Sequence, residues 1–242
     1  MNVVKLLQTK AYPGRFLLLG KIKSAVVALY GVTARSAASR AKRYVFVPEK
    51  NLVTVVATDE DVMAQGDLDL LQYNPLYFFE NGIVIGNGRQ TDEVKKLEGE
   101  NASRILVESL KDQSFELDKY NTPRITGCIM SHNAEVSAAL HIIRSDEKNN
   151  PRHDVYEVPL VEGRGKFIST YDGPNIRPTP SFVGPAIDIE IPADSLEEFV
   201  KTVYDALAPE PGAEDVRVSV VGVELNTDFI EKKVYIVNSV DV

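Results

Sequence analysis

Four stretches of this chain gather side chains that a substrate could use. Tyr12-Pro13-Gly14-Arg15 ends on a guanidinium at the entry to an aliphatic run. Arg35-Ser36-Ala37-Ala38-Ser39-Arg40 puts two arginines and two serines in six residues among small neighbours. Such a loop offers fork-shaped cationic donors, hydroxyls and backbone N–H groups to a phosphate. From spacing alone the plainer reading is a solvated basic loop before Lys42 and Arg43. Tyr73-Asn74 precedes a hairpin whose far end is Asn87-Gly88-Arg89-Gln90-Thr91-Asp92, so Tyr73 and Asn74 are expected to meet Asn87 and Thr91 at one sheet edge. The plainer role for these groups is turn and capping chemistry, above all for Asp92. In Phe115-Glu116-Leu117-Asp118-Lys119-Tyr120-Asn121-Thr122-Pro123-Arg124, two carboxylates alternate with apolar residues. If the piece is extended they face one way. Carboxylates beside a tyrosine and an arginine suit proton transfer, or a structural ion-pair network.

Other chemistries find less support. No Ser-His-Asp or Cys-His set can be assembled, and the single cysteine, Cys128, falls inside an apolar run where a thiol is inert packing. One cysteine excludes an internal disulfide or a thiolate zinc cluster, and His132, His141 and His153 lie at no metal-binding spacing. The expectation is therefore no metal and no cofactor. A formal net charge of -8 disfavours nucleic acid and anionic membranes as partners. Met1 to Lys10 lacks the apolar core of a signal peptide, and no run reaches the roughly 18–20 apolar residues of a membrane span. A soluble, cytoplasmic protein is expected, with homo-oligomerisation left open.

The elements that must position these residues are mostly short strands. β-branched and aromatic runs predict strands at Phe16 to Gly20, Ala25 to Val32, Tyr44 to Val47, Leu52 to Ala57, Leu76 to Phe79, Ile83 to Ile85 and Arg124 to Met130. More follow at Glu157 to Leu160, Lys166 to Tyr171, Ala186 to Ile191, Arg217 to Leu225 and Lys233 to Asn238. Asn81-Gly82 predicts a primed turn with positive φ. Helices are expected at Asp92 to Leu97, Ala102 to Lys111, Ala134 to Ile143 and Ser195 to Leu207, the last capped by Asp194. Pro174 to Pro185 and Pro209 to Gly212 read as ordered loops. Hairpins with helices grouped between them indicate an α+β chain. No GxGxxG or GxxxxGK[ST] motif is present, and 242 residues with 44% hydrophobic content suffice for one large domain over 1–242.

Taken in order, these segments resemble the archaeal-type IMP cyclohydrolases. The matching pieces are Tyr12-Pro13-Gly14-Arg15, Thr33-Ala34-Arg35-Ser36 with Ser39-Arg40, Tyr73-Asn74, Asn87-Gly88 with Gln90-Thr91-Asp92, and Tyr120-Asn121-Thr122-Pro123-Arg124-Ile125. Ser169-Thr170-Tyr171 with Gly173 and Pro180-Ser181-Phe182 completes the set. Ala34 stands where the resemblance leads one to expect Gly or Ser, and the chain runs on after residue 185, as in a bacterial-type relative. The resemblance implies a four-layer α-β-β-α sandwich like that of the N-terminal nucleophile hydrolases. The start, Met1-Asn2-Val3, offers no Ser, Thr or Cys for N-terminal nucleophilic catalysis.

The implied reaction closes 5-formamidoimidazole-4-carboxamide ribotide to IMP and water, in purine biosynthesis. The substrate, a purine ribonucleotide monophosphate precursor, carries both reacting groups, so no external nucleophile is needed. The resemblance implies Glu116, Tyr73 and Arg35 as catalytic groups, with Glu116 preferred over Asp118 for its reach. Arg15, Ser36, Arg40, Asn74, Asn87, Thr91, Tyr120 and Arg124 would bind substrate, with Arg35, Ser36 and Arg40 on the phosphate. The alternatives are a related purine-ribotide amidohydrolase and a non-catalytic purine nucleotide-binding protein.

Overall fold

A computed structural model describes residues 1–94, 99–172, 175–226 and 231–242. Its strands in chain order are β1 (Arg15–Ile22), β2 (Ala25–Thr33), β3 (Lys42–Val47), β4 (Leu52–Ala57), β5 (Leu76–Phe79), β6 (Gly82–Gly86) and β7 (Arg124–His132). They continue as β8 (Glu135–Ser145), β9 (Pro151–Glu157), β10 (Arg164–Ser169), β11 (Ile187–Glu190), β12 (Arg217–Leu225) and β13 (Lys232–Asn238). The helices are α1 (Val3–Gln8), α2 (Ala37–Arg40), α3 (Glu60–Met63), α4 (Leu68–Leu71), α5 (Thr91–Val94), α6 (Ala102–Leu110) and α7 (Leu196–Ala206). No helix among the described residues is long and apolar enough to cross a membrane.

The strands form two antiparallel sheets, six-stranded in the order β11-β10-β1-β2-β12-β13 and seven-stranded in the order β3-β4-β5-β6-β7-β8-β9. Strand periodicity explains the layering. On β2, Val26, Ala28, Tyr30 and Val32 join a core shared by both sheets, with Ile83, Ile85, Leu140 and Ile142 from the other side. The alternate residues Val27 and Leu29 join a second core with Phe199, Val200 and Val203 of α7 and Leu6 and Leu7 of α1. On the far sheet, Val84, Cys128 and Met130 pack against Ile105, Leu106 and Leu110 of α6. The chain is thus α+β, with helices against both outer sheet faces. Each fully buried side chain such as Phe199 contributes on the order of 1.5–3 kcal/mol.

Several expectations are corrected. Ala134 to Ile143 is not helical: Ala134 belongs to the turn after β7, and Glu135 to Ile143 lie in strand β8, paired with β7 on one side and β9 on the other. Its alanines and leucine favour helix locally, but Ala138, Leu140 and Ile142 face the inter-sheet core while Ala139 faces α6. The strand expected at Glu157 to Leu160 instead ends at Glu157. Pro159 cannot extend the ladder, and the polar residues Arg152, His153 and Asp154 conceal an edge strand. α7 is capped by Ser195, which accepts from the Glu198 N–H, not by Asp194. The described part of the helix expected at Asp92 to Leu97 is α5; Lys95 to Leu97 lie outside the described residues, as do Gly173 and Pro174.

Asn81-Gly82 makes no primed turn, for neither residue has a positive φ. Gly82 is instead paired with Met130, and a Cβ there would lie 2.3 Å from the Ile129 carbonyl oxygen. The glycine serves close strand approach. The primed geometry appears between β7 and β8, where Asn133 and Ala134 take φ of 52° and 64°. His132 closes β7 opposite Glu135. An alanine in the left-handed region is strained. Ala134→Gly is therefore expected to raise stability by about 1 kcal/mol, read as a higher urea midpoint at unchanged m-value. An unchanged or lowered midpoint would contradict the strain.

Candidate active site

One end of β1 is built tightly against its neighbours. Gly14 takes φ +69°, and a Cβ on it would lie 2.3 Å from Thr170 Oγ1. Its carbonyl accepts from the Thr33 N–H at 2.7 Å and the Thr33 hydroxyl at 2.9 Å. The Arg15 N–H donates to Thr170 Oγ1 at 3.1 Å. Arg15 thereby leaves the strand at a fixed place.

Beside it, Tyr12 stacks on Tyr171 with centroids 5.7 Å apart, and the Arg35 guanidinium sits 4.2 Å above the Tyr12 ring. Arg35 Nη1 also donates to Asn175 Oδ1 and the Ile176 carbonyl, at 3.0 and 2.9 Å. Ser36 caps α2, accepting from the Ser39 N–H at 3.2 Å. On the opposite wall, Tyr171 Oη lies 2.6 Å from Thr122 Oγ1.

The segment before β7 is held by Asp118. Its Oδ1 accepts from the Tyr120 and Thr122 N–H groups at 3.1 and 2.9 Å, and its Oδ2 from the Thr122 hydroxyl at 2.7 Å. Asn121 takes φ 50° in this turn. The Glu116 N–H donates to the Thr122 carbonyl at 2.9 Å, placing a carboxylate that is only 3% exposed. Leu117, by contrast, is 85% exposed. The resulting cavity, about 440 Å³, is lined by Arg15, Arg35, Ser36, Glu116, Tyr120, Arg177 and their neighbours. That size lies within the range of small-molecule sites, about 300–1,000 Å³. Asp118, Lys119, Thr122, Tyr12 and Tyr171 line it too.

The structure thus gathers Arg15, Arg35, Ser36, Glu116 and Tyr120 from the sequence-predicted set on one cavity. The others lie outside its lining. Arg40 Nη1 pairs with Glu214 at 2.5 Å. The Asn74 amide donates to Tyr77 Oη at 2.8 Å, and the Thr91 hydroxyl donates to the Asn74 carbonyl at 2.8 Å, so the two hairpin ends meet through Asn74 and Thr91 but not through Tyr73 and Asn87. Asp92 accepts from Tyr77 Oη instead of capping a helix. Asn87 accepts from the Ile125 N–H at 2.8 Å and reaches Glu116 Oε1 only at 3.4 Å. Arg124 Nη1 donates to Gln90 Oε1 at 3.0 Å. Tyr73 Oη lies 2.7 Å from Tyr30 Oη and 3.3 Å from Tyr44 Oη, in a buried cluster of phenols.

Sequence reasoning missed Arg177 and Lys119 on the cavity and Lys42 beside the phenols. Lys42 has no exposed surface, and its Nζ lies 5.7 Å from the Tyr73 ring centroid. The alternation Lys42, Tyr44, Phe46 on β3 was the available signal, since it turns the lysine inward with two aromatics.

Electrostatics set this cluster apart. Burial pushes Glu116 up to about 7, against the pull of Arg15 and Arg124. Burial, with Arg15, brings Lys42 down to about 7. Burial also lifts Tyr171 to about 12. A carboxyl poised near neutrality on a cavity wall can accept and return a proton. His141, whose buried Nδ1 lacks a partner among the described residues, packs its ring 5.3 Å from that of His153 at a tilt of 47°, outside this cavity. Among the described residues no three metal-ligating side chains converge.

The Glu116 shift is also a stability statement. The unfolded chain sheds this proton near 4.5 and the folded chain near 7. Between these values the folded state holds a proton that the unfolded state has lost, so stability falls as pH rises through the window, by on the order of 3 kcal/mol. Glu116→Gln is expected to flatten that fall. Urea unfolding of both proteins at about pH 5 and about pH 7.5 checks it, and parallel pH dependence would rule the raised pKa out.

A family model described as "IMP cyclohydrolase-like protein" matches residues 12–228. A Haloquadratum walsbyi protein named IMP cyclohydrolase is 36% identical over 137 residues, covering 56% of this chain and 63% of its own length. One of the same name from Methanosphaera stadtmanae is 29% identical over 164 residues, 66% of this chain and 74% of its own. Another, from Methanocella arvoryzae, is 26% identical over 202 residues, 83% of this chain and 89% of its own. The match spans Arg15, the arginine loop, Glu116 and Arg177 alike, and the chain belongs to the IMP cyclohydrolase-like family.

Proposed function

We propose that the cavity closes the purine ring of 5-formamidoimidazole-4-carboxamide ribotide to give IMP. The observation that carries this reading is a buried, near-neutral carboxyl, Glu116, sharing one cavity with the guanidinium groups of Arg15, Arg35 and Arg177. The relatives' names support it.

In this reading Arg35, Ser36 and Arg177 hold the phosphate. The Arg35 plane is already set by Tyr12 and the Ile176 carbonyl, so little freedom is lost on binding. Holding the carboxamide nitrogen against the formyl carbon lowers the barrier by on the order of 7 kcal/mol. Glu116 accepts a proton from that nitrogen as the N–C bond forms. The formyl oxygen becomes an alkoxide facing Arg15, whose Nε is buried without a partner among the described residues. The oxygen is then protonated and leaves as water, while the former formamide nitrogen gives up its proton. Tyr120 and Arg124 support the base and the Glu116 segment. Tyr73, with Asn74, Asn87 and Thr91 behind it, backs the wall.

The same reading takes residues 1–242 as one domain, working in the cytoplasm, with a sandwich of the N-terminal nucleophile hydrolase type. The two antiparallel sheets with helices outside them support that architecture.

The test mixes chelated protein with the formylated carboxamide ribotide and follows IMP by absorbance and chromatography. Conversion well above the uncatalysed rate is expected; none from folded protein would defeat the reading. Glu116→Gln is expected to lower kcat by about 100-fold or more. Arg35→Ala is expected to raise KM by roughly 10- to 100-fold with a smaller change in kcat, because it contacts the unreacting phosphate. Wild-type turnover in Glu116→Gln would remove that residue from the proton transfer.

A further inference from the structure

Glu116 meets the protein behind it through an ordered set of side-chain amides. The set begins at Arg124, whose Nη1 donates to Gln90 Oε1 at 3.0 Å. A guanidinium carries donors only, so the oxygen of Gln90 must be the end that faces Arg124. The Gln90 nitrogen then faces the other way, where Nε2 donates to Asn87 Oδ1 at 3.0 Å and to the Ile125 carbonyl at 3.2 Å. The Ile125 N–H donates to the same Asn87 oxygen at 2.8 Å. Two donors on Oδ1 leave the Asn87 amide one orientation. Its Nδ2 points to the Pro123 carbonyl at 3.0 Å and to Glu116 Oε1 at 3.4 Å.

Packing holds the set in this sense. Asn87, Gln90 and Glu116 are all buried. A Cβ on Gly88 would lie 2.7 Å from Gln90 Oε1, and one on Gly86 3.2 Å from Gln90 Nε2, so two glycines make the room this side chain occupies. The last contact is long, as hydrogen bonds to a catalytic base often are before substrate arrives. Its polarity matters more than its length. Oε1 faces an N–H, and a carboxyl proton on that oxygen would set donor against donor. The charged groups acting on Glu116 are Arg15 from β1, Arg124 from β7, Asp118 from its own segment and Lys42 from β3. Among the described residues none of them bonds to Oε1, whose partner is the Asn87 amide. Glu116 lines the cavity, whereas Asn87 and Gln90 stand outside its lining.

We propose that Gln90 and Asn87 are positioning residues that confine the exchangeable proton of Glu116 to Oε2, the oxygen left for a ligand in the cavity. The use of that proton rests on the reaction proposed above. There the carboxamide nitrogen bonds to the formyl carbon, the nitrogen's N–H bond breaks, and the proton goes to Oε2 while the formyl π pair moves onto its oxygen. The Asn87 N–H favours the carboxylate before the transfer and remains a donor to Oε1 after it. Neither amide meets substrate; both act through Glu116. Arg124, which cannot reverse its own polarity, fixes the sense of the whole set.

The test is the pH profile of kcat/KM in wild type, Asn87→Asp and Gln90→Met. Asn87→Asp keeps the shape but sets an acceptor against Oε1, and is expected to move the acidic limb upward by about one pH unit or more. Gln90→Met removes a donor that orients Asn87, and is expected to move the same limb upward by roughly half a unit, lowering kcat more than it raises KM. A merely structural pair of amides would alter the height of the profile and leave the limb where it was. Unmoved limbs in folded variants overturn the proposal. Should either variant fail to fold, NMR of the Asn87 side-chain amide through pH, in wild type and Glu116→Gln, decides. Its shifts are expected to titrate with Glu116, near about 7, in wild type and to stay flat in Glu116→Gln. A flat amide in wild type overturns the proposal. A folded wild type that leaves the ribotide unconverted overturns the ring closure alone, because the amide titration needs no substrate and decides the proton's place by itself.

Discussion

Glu116 has been taken out of water, and the cations buried around it decide whether it can stay. An isolated carboxylate in such a place would simply keep its proton, because the loss of hydration outweighs any single contact. Arg15 and Arg124 pull the other way, and the outcome is a group balanced near neutrality rather than fixed in either form. The surrounding architecture is arranged about that balance. Gly14 brings Arg15 in at one strand end, and Asp118 folds the segment that carries Glu116. The tyrosines fill the space where water would otherwise screen the charges.

The cavity walls are tied across the sandwich by one line of contacts. Arg35 stacks on Tyr12, Tyr12 on Tyr171, Tyr171 bonds to Thr122, and Thr122 accepts from Glu116 through its carbonyl. Each contact is of modest strength, but together they link the guanidinium assigned to the phosphate with the carboxyl assigned to the proton. Much of that line is aromatic and held on at least two sides, so its members carry little rotamer freedom to lose when a ligand arrives.

The strand runs were legible because β-branched and aromatic residues gather in short runs bounded by turn residues. Where the local signal and the burial disagreed, the sequence misled. β8 carries Ala138, Ala139 and Leu140 in succession, a local helical signal that its two covered faces override. Glu116 and Asp118 were readable as a pair; their division of labour depended on Asp118 turning back onto its own backbone. Arg40 looked equivalent to Arg35 in the loop, but its partner, Glu214, is 174 residues away in the chain. Lys42 stood one position pair before the recognised part of β3, so its inward face went unread.

The two sheets differ in how far along the chain their neighbours lie. In the seven-stranded sheet each strand pairs with the next in sequence, so its pairings join segments closer along the chain than the β1–β10 and β2–β12 pairings of the other sheet. The six-stranded sheet joins β1 to β10 and β2 to β12, pairing Phe16 with Ser169 and Arg217 with Thr33. Such distant pairings are entropically slow to form. Arg15 belongs to the slow sheet, whereas Lys42 and the segment carrying Glu116 belong with the fast one. The burial of Glu116 beside both of its arginines is therefore complete only where the two sheets meet, with Arg15 carried by one sheet and Arg124 by the other.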